Sequence, residues 1–128
     1  MEMTFPGGTE VEVKYNGFTI KTDQPREHGG NGTAPTPFEL FIASIGACAG
    51  VYALNFCNAR KVPTEGLSVR LIAQRDAQGK RVTNVRIEVR APEGLPKEYL
   101  PALLRSMDSC AVKKHIIQPP TFELVAVQ

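Results

Sequence analysis

Several absences narrow the field before any motif is read. The 128 residues contain no CxxC and no HxxxH pair, and only three cysteines and two histidines. Cys48, Cys110, His28 and His115 stand singly, so neither a metal centre nor a bound cofactor is expected. Charge of one sign is not concentrated anywhere: 15 basic against 13 acidic side chains leave a net +2. That balance gives no reason to expect nucleic acid or a membrane surface as partner. Arg70, Arg75, Arg81, Arg86 and Arg90 form a possible basic stripe, but acids interrupt it and aromatics are missing, so a solvated sheet face is the simpler reading. The opening MEMTFPGGTE has no basic n-region and no apolar h-region, so no secretory leader is expected. An odd number of cysteines without export argues against a disulfide framework and for reduced thiols in the cytoplasm. Internal repeats and low-complexity segments are also lacking, and a chain of this length is expected to be one domain, 1–128.

What is present is organised around TPFELFIASIGACAGVYALNFCN, residues 36–58. Thr36 is suited to an N-cap, Pro37 to the first helical position and Glu39 to the first turn, which together predict a helix start. From Leu40 to Leu54 the one plainly polar side chain is Ser44. A helix without a polar face needs cover all round, from the chain's own sheet, a second subunit or lipid. The apolar run falls short of the ~18–20 residues of a membrane span, and the flanks read as strands of a soluble domain. The Gly46 and Gly50 spacing permits close approach of another backbone, read here as packing inside a soluble protein.

Around this helix the chain alternates. Val11, Val13 and Tyr15 interleave with Glu10, Glu12 and Lys14, and Asn16-Gly17 predicts a type I′ hairpin returning through Phe18 and Ile20. Residues 24–35 form a Gly- and Pro-rich loop carrying Arg26, Glu27 and His28, without the strand–GxGxxG–helix context of a phosphate site. Leu67 to Arg90 reads as a second hairpin with its turn at Asp76–Gly79. A helix is expected over 97–109, with Tyr99 or Leu100, Leu103, Leu104 and Met107 as its buried side. A short helix follows from near Cys110, then a last strand over 121–127. The order predicts an α+β protein of antiparallel sheet with a long buried helix.

Cysteine carries the candidate chemistry. Cys48 lies about three turns into the helix, beyond the reach of that helix's dipole. A buried cysteine is ordinarily a small hydrophobe, and reactivity requires a cation and access to solvent. Arg26 is the nearest cation in sequence. Cys110 stands at a helix start, with Lys113 and Lys114 one turn on. Cys57 follows Cys48 by nine residues, about 180° around the helix, so those two cannot pair within it. If a disulfide forms within one chain, Cys48 with Cys110 is the sensible pair.

The segments GGNGTAPTPFELFIASIGACAG and DSCAVKKHI, with the Gly66-Leu67 turn and hairpin between them, resemble the OsmC/Ohr superfamily and within it the OsmC-like (YhfA-like) branch. The resemblance implies an intertwined homodimer, antiparallel sheets wrapped around the central helices, and active sites at the subunit interface. It further implies reduction of organic hydroperoxides by a peroxidatic cysteine matching Cys48 and a resolving cysteine matching Cys110, with a dithiol reductant. An arginine that holds the thiolate is carried over onto Arg26, and the glutamate that holds the arginine onto Glu39. Phe38, Phe41, Ile45 and Tyr52 would wall an apolar substrate site. Two positions depart from the pattern: Phe38 stands where the glutamate is usual, one place before Glu39, and Ala111 follows Cys110 where proline is usual. The alternatives are a non-enzymatic, stress-associated dimer binding a small apolar ligand, and a hotdog-type thioesterase, for which only Glu39 offers a carboxylate.

Overall fold

A computed structural model describes residues 1–127, and the chain divides into two compact units, Met1–Ala43 and one from Ser44 onward. The first holds a three-stranded antiparallel sheet, β1 (Glu2–Gly7), β2 (Glu10–Tyr15) and β3 (Phe18–Thr22), in that order. The β2–β3 turn forms as the sequence requires, with Asn16 at φ 48° and Gly17 at φ 81°. β1 was not expected. It borrows its regularity from the edge of β2, pairing Glu2 with Lys14 and Thr4 with Glu12 before its register shifts ahead of Gly7. The loop after β3 carries a short 3₁₀ turn, Arg26–His28.

The long helix α1 runs Pro37–Ala59. Its start is a reciprocal capping box: Thr36 N–H donates to Glu39 Oε2 at 2.7 Å, and Glu39 N–H to Thr36 Oγ1 at 3.2 Å. By length and composition alone, with a mean hydropathy of 1.8, α1 is a helix that could cross a bilayer. A single stripe of it is buried, Ile45, Ala49, Ala53, Phe56 and Cys57, at the three- and four-residue spacing of one helical face. Phe38, Phe41, Val51 and Leu54 remain exposed in the single chain.

In the second unit β4 (Ser68–Arg75) and β5 (Val82–Arg90) form an antiparallel pair in which Val69 faces Val89, Leu71 faces Ile87 and Ala73 faces Val85. A 3₁₀ turn, Lys97–Tyr99, leads into α2 (Leu100–Asp108), and α3 (Ala111–Ile117) follows. Ala49, Ala53 and Phe56 of α1 pack with Leu95, Leu103 and Met107 in one core, and Val69, Ile87 and Val89 of the sheet close over it. Ser106 Oγ also donates to the Tyr52 carbonyl at 3.4 Å, tying α2 to α1.

Three expectations need correction. The buried side of α2 is Leu103 and Met107, whereas Tyr99, Leu100 and Leu104 are exposed: Tyr99 lies in the 3₁₀ turn before the helix, and Leu104 borders the cavity beside Cys110. Gly46 does lie close to Leu71, but a side chain at Gly50 would meet nothing within 4 Å, so only one of the two glycines marks a close contact in this chain. Residues 121–127 form no strand. A strand needs a neighbour to satisfy its ladder, and among the described residues none pairs with this segment: Phe122, Leu124 and Val127 are at least 89 % exposed.

Candidate functional site

Cys48 and Cys110 come together in the second unit. The packing of α1 with α2 against the β4–β5 pair sets Cys48 on a half-buried face, and the turn after α2 delivers Cys110, which is 1 % exposed. Cys110 is the N-cap of α3, and its Sγ accepts a hydrogen bond from Lys113 N–H at 3.4 Å. The two thiols are near enough for each to shift the acidity of the other, and neither is in a disulfide.

Their electrostatics differ in sign. Burial pushes the Cys48 thiol up, but the hydrogen bond from Cys110 and those from the N–H groups of Val112 and Ala111 outweigh it, so its pKa lies below that of an ordinary thiol. Cys110 moves the other way: burial raises it first, and the thiolate beside it raises it further, against the N–H groups of Lys113 and Val112. Of the pair Cys48 is therefore the thiol that ionises first, with Cys110 as its S–H donor. A cation was expected to supply this acidity. The donors found are a neighbouring thiol and two backbone amides from the start of a different helix. Ala111 contributes one of them, and the proline usual in the resembled family could not, having no N–H.

Cys57 is wholly buried and raised by that burial, which the nearby Arg60 offsets only in part. Arg60 lies over the Phe56 ring at 3.6 Å and donates to the Phe56 carbonyl at 3.2 Å. Lys113 pairs with Asp108, and His115 Nδ1 lies 2.8 Å from the Ala111 carbonyl oxygen. A cavity of about 220 Å³ abuts Cys110, lined by Ala49, Ile87, Leu104 and Met107, with Asp108 and Lys113 as its charged wall.

Arg26 occupies the exposed 3₁₀ turn of the first unit, and Glu39 caps α1 through Thr36. Of the residues expected to wall a substrate site, Phe38 and Phe41 touch one another, with ring centroids 5.7 Å apart, and are both half-exposed. Ile45 is buried and Tyr52 half-buried, and none of the four lines the cavity beside Cys110. Among the described residues no three His, Cys, Asp or Glu side chains gather as a metal site.

The family model for OsmC-like proteins matches residues 29–125, which includes both cysteines. The chain belongs to the OsmC-like family. Solved structures share its fold. A Psychrobacter arcticus protein named for osmotic stress induction and a detoxification response superposes with a TM-score of 0.75 at 20 % identity, over 88 % of this chain and 84 % of that one. A Legionella pneumophila protein described as an organic hydroperoxide resistance protein OsmC gives 0.59 at 23 % identity, over 90 % and 85 %. A Vibrio cholerae protein named for organic hydroperoxide resistance, with captopril bound in one of its active sites, gives 0.57 at 20 % identity, over 91 % and 83 %. No curated protein matches. The OsmC-like assignment agrees with the mixed α and β architecture, antiparallel throughout, with three helices.

Proposed function

We propose that this OsmC-like protein is a thiol-dependent peroxidase that reduces organic hydroperoxides in oxidative stress defence, with Cys48 peroxidatic and Cys110 resolving. The observation that supports the reading is the placing of the buried Cys110 thiol beside Cys48, with Cys48 the more acidic of the two. The names of two relatives, for organic hydroperoxide resistance, support the same substrate class.

The Cys48 thiolate attacks the terminal oxygen of the hydroperoxide. The O–O bond breaks, the alkoxide takes a proton and leaves as alcohol, and the sulfur becomes a sulfenic acid. Loss of the negative charge on Cys48 removes both its hydrogen-bonding and its Coulombic hold on the Cys110 proton. Cys110 then becomes the more acidic thiol, attacks the sulfenic sulfur and expels water, forming the disulfide. A dithiol reductant opens the bond by exchange and is itself oxidised. The buried thiol is thus withheld until its partner has reacted.

In this reading Arg26 is the cation and Glu39 the carboxylate proposed to assist the thiolate, and Phe38, Phe41, Ile45 and Tyr52 are proposed to face the apolar part of the substrate. The working form is a cytoplasmic homodimer. Its support is the apolar surface left on the single chain, at Val51 and Leu54 on α1 and at Phe122 and Leu124 beyond α3. Consumption of cumene hydroperoxide with a dithiol, lost in Cys48→Ser and reduced to a single turnover in Cys110→Ser, tests the reading. Undiminished turnover in Cys48→Ser would end it. A non-enzymatic dimer binding an apolar ligand is the second reading, favoured by the exposed phenyl of Phe38 at the position where the family's glutamate is usual.

A further inference from the structure

Asp23, at the end of β3, is the one charged side chain that is buried among the described residues, at 1 % exposure, and the chemistry above does not use it. Its Oδ1 accepts from Thr9 Oγ1 at 2.6 Å and from Gln24 N–H at 2.8 Å. Its Oδ2 accepts from the N–H groups of Asn31 and Thr33, both at 3.1 Å, and from Thr33 Oγ1 at 3.0 Å. Both ends of the loop and the sheet edge at Thr9 therefore meet on one carboxylate. Five donors suit a group that only accepts; an amide in its place would turn an NH₂ toward one of these sets.

Inside that ring of bonds the loop is packed backbone on backbone. Gly32 N–H donates to the Gln24 carbonyl at 3.0 Å and Gly30 N–H to the Pro25 carbonyl at 3.1 Å. A Cβ at Gly30 would stand 1.9 Å from the Gln24 carbonyl oxygen, so only glycine fits. The crest of this closed loop is the Arg26–His28 turn, with Arg26 exposed and, among the described residues, in no ion pair.

We propose that Asp23 is the positioning residue for Arg26: its carboxylate fixes the 24–35 loop in one conformation, so that the guanidinium is presented without a cost in loop ordering when the reaction needs it. The inference rests on the role given to Arg26 under the peroxidase reading, and its loop-fixing half can be measured without turnover. Arg26 is itself a tryptic site on an exposed turn. In Asp23→Asn, nicking after Arg26 is expected to accelerate by about tenfold while cleavage elsewhere is unchanged, as for a local opening. Thr9→Val, which removes one of the five donors and leaves the carboxylate, is expected to give a smaller acceleration at the same bond and keeps the test open if Asp23→Asn does not fold. For the catalytic half, Asp23→Asn is expected to lower kcat/KM about tenfold in the wild-type background and less than about twofold in an Arg26→Ala background, because the two residues act as one unit. Unchanged nicking in the folded variants overturns the proposal whatever the activity. Equal losses of kcat/KM in both backgrounds also overturn it, leaving Asp23 a fold element only. A wild type without turnover sinks the peroxidase reading instead, and the nicking result then decides whether Asp23 holds the loop.

Discussion

Replacing Ala111 by proline removes one hydrogen-bond donor from Cys48 and little else. Ala111 is the first residue of α3, exposed, and its N–H is outside the helix's own bonding, so the ring meets no helical carbonyl. Cys110 before it has ψ 120°, within the range that a residue preceding proline prefers. The thiolate keeps Cys110 and the Val112 N–H as donors. A hydrogen bond to a charged group contributes about 1.5–3 kcal/mol, and as the least of the three donors Ala111 belongs at the low end. At 1.36 kcal/mol per factor of ten this raises the Cys48 midpoint and leaves up to roughly tenfold less thiolate at neutral pH. The assay is the pH dependence of iodoacetamide labelling at Cys48, read by peptide mass spectrometry. Wild type should show a midpoint below that of an ordinary thiol, Ala111→Gly should stay close to it, and Ala111→Pro should move up. A midpoint unmoved by proline would refute the claim that backbone amides hold this thiolate.

Core, surface and acid stability give further tests. Leu103 is fully buried among Ala49, Ala53, Phe56 and Met107, so Leu103→Ala should lose about 2–5 kcal/mol in urea unfolding. The uncovered apolar side chain of Leu124, 100 % exposed, is expected to be buried in the proposed homodimer, so Leu124→Lys should shift sedimentation toward the monomer; an unchanged distribution would remove residues 121–127 from the proposed interface. Asp23 is held well below the usual carboxylate range, chiefly by Thr9 and the Thr33 N–H. Its folded-state pKa is depressed, so its contribution is complete above the unfolded value of about 3.9 and is lost as pH falls below it. Wild type should therefore destabilise more steeply than Asp23→Asn below about pH 4, and parallel acid limbs in thermal melts would contradict this.

The local parts of this molecule were legible in the sequence. Asn16-Gly17 specified its turn, Thr36 and Glu39 their capping box, and the alternation of Val69, Leu71, Val85, Ile87 and Val89 its hairpin. β1 escaped notice because Met3, Thr4 and Phe5 are too few, before Pro6 and Gly7, to set up an alternation of their own. Residues 121–127 alternate as a strand should, yet pairing is a property of two segments, and among the described residues no second segment pairs with them. The acidity of Cys48 was hidden for the same reason. Its donors lie more than sixty residues away in sequence, and the only local hint was an alanine, which has an N–H, in place of a proline. The buried side of α2 was hidden because Leu100, Leu103, Leu104 and Met107 share one helical face, and only the packing of the helix decides that Leu103 and Met107 reach the core while Leu104 borders a cavity.

Mass spectrometry after one equivalent of an organic hydroperoxide, with Cys57 as the internal control, tests the redox pair most directly. The expected product is a Cys48–Cys110 disulfide with Cys57 still reduced. A stable sulfenic acid on Cys48 with Cys110 unreacted, or oxidation confined to Cys57, would contradict the pairing on which the account depends.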